Sequence, residues 1–141
     1  MNAGAMQPGV NEDLRPSLLI ADDDAVVSAT LSAQLGNDFN VIAVADNAYD
    51  AVELADEHRP DAALIDVDMP GGGARAAVPQ IASRSPGTCM VILSGDETRQ
   101  LVVELLGAGA IAYVRKGITA PEIAETLTAA LKAKAESGPP A

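Results

Sequence analysis

The chain has 141 residues, enough for one domain with a full core, and 48% of them are hydrophobic, which excludes wholesale disorder. A net charge of -11 argues against nucleic-acid binding, because phosphate contacts need clustered Lys and Arg, and it suits a soluble protein that binds a cation or a basic protein surface. No apolar run approaches the roughly 20 residues of a membrane span, so no membrane is expected as a partner.

Residues 1–16 mix Asn, Gly, Gln, Pro and acids without periodicity and read as a flexible N-terminal tail lacking the apolar core of a signal peptide. Ser17–Ala21 is a short apolar run that stops at Asp22-Asp23-Asp24, which predicts a buried strand ending at an acidic cluster. Val27, Leu31 and Leu35 recur at helical spacing over residues 25–35; Asp23 or Asp24 can cap that helix and Gly36 can end it. A second strand is predicted over residues 40–45. A helix follows over 48–58, capped by Asp46 or Asn47, and Pro60 closes the connection. His58 near its end is most simply a favourable contact with the helix dipole.

Residues 62–66 form an unbroken apolar run that ends at Asp66, the mark of a strand buried on both faces. Asp68, Pro70 and the glycines at 71–73 come next, followed by a weaker helical pattern over 74–84 and a Pro86-Gly87 turn. A fourth strand is predicted over 88–93, ending at Ser94-Gly95. Within it, the lone Cys89 reads as a small buried hydrophobe; a single cysteine makes no internal disulfide, which suits a cytoplasmic protein. A helix over 96–106, stopped by Gly107 and Gly109, leads to a fifth strand over 110–114. Thr119 and Glu122, with Pro121 between them, form a capping-box signature that opens a last helix. The domain is expected to span residues 17–134, with a second flexible tail over 135–141.

Strand–helix alternation with short loops predicts a single α/β domain, a doubly wound parallel sheet of five strands with five helices. Parallel strands place their carboxyl ends on one edge, where ligands of open α/β sheets bind. That edge collects Asp22 and Asp23, then Asp66 and Asp68, then Ser94, then Lys116. Clustered carboxylates repel unless a cation joins them, and an oxygen-only set suits Mg²⁺. Asp66 can then attack a phosphoryl group to give an acyl phosphate, while Lys116 pairs with the phosphoryl charge and Ser94 donates a hydrogen bond.

The runs LIADDD (19–24), PDAALIDVDMPG (60–71), VILSG (91–95) and GAIAYVRK (109–116) together resemble the receiver domain of two-component response regulators, over about residues 17–131. The resemblance implies a flavodoxin-like fold and a phosphoacceptor that phosphorylates and dephosphorylates itself rather than a turnover enzyme. It implies Asp66 as the phosphoacceptor, and Mg²⁺ held by Asp22, Asp23, Asp66 and the backbone carbonyl of Asp68. Ser94 would be the switch hydroxyl, Tyr113 the switch aromatic and Lys116 the phosphoryl-pairing lysine; as a plain residue, Tyr113 could equally be a half-buried core aromatic. The implied donors are a sensor histidine kinase or a histidine phosphotransfer protein. The implied output is a shift of the surface made by helix 4, strand 5 and helix 5, read by a partner protein, an output domain or a second copy of the chain.

Three positions depart from the commonest family pattern. Gly117 stands where many receivers have Pro, so the loop must find its shape through glycine freedom. The glycines at 71–73 suggest a looser loop. Asp68 and Asp96 place acids two residues after Asp66 and Ser94, where like charge should tune the rate of phosphorylation or the lifetime of the acyl phosphate. Two rival functions stand beside the receiver. The pattern Asp66-Val67-Asp68 also occurs in haloacid-dehalogenase-type phosphatases, although there an acidic pair follows the lysine. A receiver-like module that binds partners without being phosphorylated is the other rival.

Overall fold

The structure is a computed structural model that describes residues 13–95 and 99–137. Most of the expected N-terminal tail, Asp96 and residues 138–141 lie outside the described residues. The elements alternate in chain order: β1 (Ser17–Ala21), α1 (Ala25–Leu35), β2 (Asn40–Ala45), α2 (Ala48–His58), β3 (Ala62–Asp66), α3 (Gly73–Arg84), β4 (Cys89–Ser94), α4 (Arg99–Ala108), β5 (Ala112–Arg115) and α5 (Ala120–Glu136). The strands pair in parallel in the order β2-β1-β3-β4-β5. This is the doubly wound arrangement expected from the alternation, in the flavodoxin-like form that the resemblance implies. From β1 the chain first builds outward to β2, then crosses back to lay β3, β4 and β5 on the other side. The reversal opens a crevice between the carboxyl ends of β1 and β3, the point at which such sheets hold ligands.

Successive strand residues face opposite layers. Leu18, Ile20, Leu64 and Val91 pack with Leu35 of α1 and Leu127 of α5. Leu19, Ile65 and Ile92 pack with Val52 of α2, Ile81 of α3 and Leu105 of α4. All residues of β3 and β4 are buried, whereas the edge strands β2 and β5 are partly exposed. Cys89 is buried in this core, and desolvation pushes its thiol up to about 11, as befits a hydrophobe rather than a nucleophile.

Local chemistry sets the helix starts. Of the two candidates at α1, Asp24 is the cap, accepting from the amides of Val26 and Val27. Asn47, not Asp46, caps α2. Thr119 and Glu122 make the full capping box of α5. Several boundaries move from those expected. Thr88 stays out of β4 because its hydroxyl donates to Pro60 O at 2.7 Å and meets Ser85 Oγ at 2.7 Å, locking the preceding turn. Helix α4 runs through Gly107 and ends before Gly109, whose φ of 136° turns the chain. Ala110 N then donates to Leu105 O, so β5 begins only at Ala112. Helix α5 continues to Glu136, beyond the boundary set at residue 134. At the other end, Pro16 O already accepts from Asn40 N, and the Arg15 guanidinium donates to Gly36 O.

Candidate functional site

The triplet at the end of β1 divides its labour. Asp22 turns into the crevice, 1% exposed, and its Oδ1 accepts the amide of Asp24 at 2.9 Å. Asp24 turns away to cap α1, and Asp23 stays exposed on the rim. Ser28, one turn into α1, donates its hydroxyl to Asp22 O at 3.2 Å and so fixes the backbone behind the carboxylate.

Asp66 closes β3 beside Asp22 and is equally buried at 1% exposure. Its Oδ1 accepts Lys116 Nζ at 2.9 Å and the amide of Asp68 at 3.3 Å. Its Oδ2 and Asp22 Oδ2 are buried and accept no hydrogen bond among the described residues. Carboxylate oxygens of Asp22, Asp23 and Asp66 lie within 4.8 Å of one another. Desolvation pushes the Asp66 carboxyl above the ordinary carboxylate range. The Lys116 hydrogen bond opposes that shift and the nearby Asp22 charge reinforces it.

Two buried carboxylate oxygens with no donor are costly, typically about 1–3 kcal/mol each. A divalent cation between them would satisfy both and cancel the repulsion. A set made only of oxygens, with one acid open to water, fits Mg²⁺, which keeps several waters of its own.

The remaining candidates surround this pair. Ser94 ends β4, 4% exposed, and its carbonyl accepts the amide of Lys116 at 2.7 Å. That bond ties the ends of β4 and β5 together and aims the Lys116 side chain from the rim into the crevice. Gly117 follows with φ 94°, so glycine supplies the turn. Asp68 is exposed, and its amide, on Asp66 Oδ1, faces the site. Tyr113 lies opposite Ile92 on β5 and is 49% exposed, so it is not a core aromatic. Val103 and Leu106 of α4, with Ile111, are further exposed apolar residues of the α4–β5 region. Asp96, expected to overhang the site, lies outside the described residues.

Sequence reasoning missed the supports of this site. The carbonyl of Pro70 accepts the first amide of α2 from Ala48 at 2.9 Å. At the far end of β3, Asp61 accepts both the amide and the hydroxyl of Ser17. The parallel register that sets Leu18 against Ala62 makes the second contact readable in hindsight.

The family model described as "Response regulator receiver domain" matches residues 18–128. This chain belongs to that family. Among curated relatives, the receiver is 35% identical over 100 residues to the transcriptional regulatory protein PdtaR of Mycobacterium tuberculosis, covering 70% of this chain and 48% of the relative. It is 30% identical over 116 residues to the chemotaxis protein CheY of Listeria monocytogenes, covering 81% of this chain and 98% of that one. The chain thus spans about half the length of the regulator and nearly all of CheY. Among solved structures, it is similar to the receiver domain of a sensor histidine kinase from Pseudomonas aeruginosa, described with a magnesium ion coordinated in its active-site cleft. That match has a TM-score of 0.74 at 21% identity and covers 84% of this chain and 98% of that one; at this identity it shows the fold. Receivers are signalling domains of two-component systems rather than turnover enzymes of the ordinary kind. No helix among the described residues is long and apolar enough to cross a membrane.

Proposed function

We propose that this receiver accepts a phosphoryl group on the Asp66 carboxylate, with Mg²⁺ held by Asp22, Asp23, Asp66 and the backbone carbonyl of Asp68. The observation that carries the proposal is the pair of buried, donorless oxygens on Asp22 and Asp66 beside the Lys116 ammonium. Such an arrangement is unfavourable at rest and becomes favourable when a cation and a phosphoryl group complete it.

The phosphoryl donor is a phosphohistidine of a sensor histidine kinase or a histidine phosphotransfer protein. A carboxylate oxygen of Asp66 attacks phosphorus as the P–N bond breaks. The electron pair leaves with the imidazole, which takes up a proton. Mg²⁺ held by Asp22, Asp23, Asp66 and the Asp68 carbonyl would supply charge neutralisation for the transferring phosphoryl group. Lys116, now on Asp66 Oδ1, follows the negative charge outward to a phosphoryl oxygen, and the Ser94 hydroxyl donates to another. Movement of Ser94 draws Tyr113 inward and reshapes the α4–β5–α5 surface for a protein partner, an output domain or a second copy of the chain. The setting is cytoplasmic, where such kinases present their phosphohistidine.

The test is beryllofluoride with Mg²⁺, followed by NMR on wild type and Asp66→Ala. Amide shifts around the site and across α4–α5 are expected in wild type and absent in Asp66→Ala. An intact wild-type fold that shows no shifts, and takes no phosphoryl group from acetyl phosphate, would instead identify an unphosphorylated interaction module.

A further inference from the structure

The carbonyl proposed to hold Mg²⁺ belongs to Asp68, a residue in a loop rather than a strand. Something must fix that backbone. The peptide between Val67 and Asp68 is pinned from both sides. Its amide, Asp68 N, donates to Asp66 Oδ1 at 3.3 Å, and its oxygen, Val67 O, accepts from Ala74 N at 3.0 Å. Gly73 sits directly against that oxygen. Its φ is 63°, and a Cβ built there would overlap Val67 O far inside contact distance, with Asp68 Cα at 3.8 Å.

The neighbouring glycines differ. Gly71 has φ 87° but would place a Cβ in ordinary contact with Ala48, 3.5 Å from its Cβ. A Cβ on Gly72 would meet the Ala76 side chain at 2.8 Å, away from the Val67–Asp68 peptide. All three adopt positive φ, yet only Gly73 touches the backbone that carries the Asp66 hydrogen bond and the proposed ligand carbonyl.

We infer that Gly73 is a positioning residue for the metal site. Its missing side chain lets the Val67–Asp68 peptide lie where its amide meets Asp66 and the next carbonyl faces the cation. Any side chain at 73 pushes Val67 O away. Because the peptide is planar, the Asp68 amide must turn with it, and the Asp68 carbonyl beyond keeps its direction only if φ and ψ of Asp68 compensate. This inference rests on the Mg²⁺ site proposed above and extends it from ligands to the residue that aims one of them.

The experiment is a Mg²⁺ titration followed through the Asp68 amide by NMR, with the thermal midpoint in EDTA measured in parallel. Gly73→Ala should bind Mg²⁺ about tenfold more weakly or worse, as supporting residues of metal sites commonly do when altered. Gly71→Ala puts a side chain at a larger positive φ, 87° against 63°, and should still bind like wild type. Gly73→Asn separates the remaining causes, since Asn tolerates positive φ but still brings a Cβ. It should fold more readily than Gly73→Ala and still bind weakly. Wild-type affinity in Gly73→Asn, or equal losses in Gly71→Ala and Gly73→Ala, would overturn the inference. A wild type that binds no Mg²⁺ would overturn the proposed function itself, a distinct outcome.

Discussion

Strand β3 has an aspartate just before its start and another at its end, and the two are treated in opposite ways. Asp61 is exposed and its carboxylate is well supplied: it accepts the amide of Ser17 at 2.8 Å and the Ser17 hydroxyl at 3.1 Å, while its own amide donates to that hydroxyl at 2.8 Å. Asp66 is buried, faces a second carboxylate, and keeps one oxygen without a donor. One acid stitches β1 to β3, and its arrangement is complete as it stands. The other is incomplete without something from outside. The same residue type, just before β3 and at its end, is therefore set apart by what surrounds it: one carboxylate is fully supplied with donors and the other is not.

Replacing the two acids should break the molecule in different ways. Asp66→Ala should abolish phosphoryl uptake from acetyl phosphate with Mg²⁺, whereas Asp61→Ala should keep uptake near the wild-type level. Asp61→Ala should instead lose about 2 kcal/mol of stability in urea unfolding, the scale of hydrogen bonds to a charged acceptor. Equal effects on uptake would erase the contrast.

A subtler change sharpens it. Asp66→Asn removes a desolvated charge beside Asp22 and, measured in EDTA, should raise stability by about 1 kcal/mol at neutral pH. The sign of its pH dependence is fixed. The folded chain holds the Asp66 proton to higher pH than the unfolded chain does. The wild-type penalty is thus absent below the unfolded carboxylate value of about 4 and grows as pH rises through the raised folded value. The advantage of Asp66→Asn should shrink as pH falls from 7 toward about 4, and a constant gap would contradict this account. The smallest effect concerns Asp68. Because its side chain is exposed and screened by water, Asp68→Asn should change the autodephosphorylation rate only about two- to fivefold, by the Coulomb term between exposed charges. Unchanged rates would leave Asp68 with its backbone role alone.

The central strands were legible because burial on both faces leaves uninterrupted apolar runs, as at Leu64-Ile65 and Val91-Ile92, and each run ended at its polar site residue. Boundaries set by single hydrogen bonds were not. Nothing local in Thr88 shows that its hydroxyl reaches Pro60, 28 residues earlier. The end of α4 depended on Gly109 rather than Gly107, two glycines alike in sequence but distinguished by φ. At the site, residue types and their edge were legible. Which oxygen is held and which is left without a donor depends on side-chain directions across three strands and a loop. The glycines at 71–73 read as looseness, yet Pro70 O accepts the first amide of α2 and Ala74 N holds Val67 O, so the loop is tied at both ends.

The placement of β3 at the centre of the sheet also has a kinetic consequence. Its partner β1 precedes it by two helices and a strand, α1, β2 and α2, and the Ser17–Asp61 contact spans 44 residues. Asp22 and Asp66 therefore meet only after this long-range pairing closes, which the chain-entropy cost of non-local contacts makes late. A cation that needs both acids recognises the closed sheet and nothing before it. Mg²⁺ should then slow unfolding while leaving the refolding rate almost unchanged, moving one arm of a chevron plot and not the other. Acceleration of refolding by Mg²⁺ would show instead that the two carboxylates come together early.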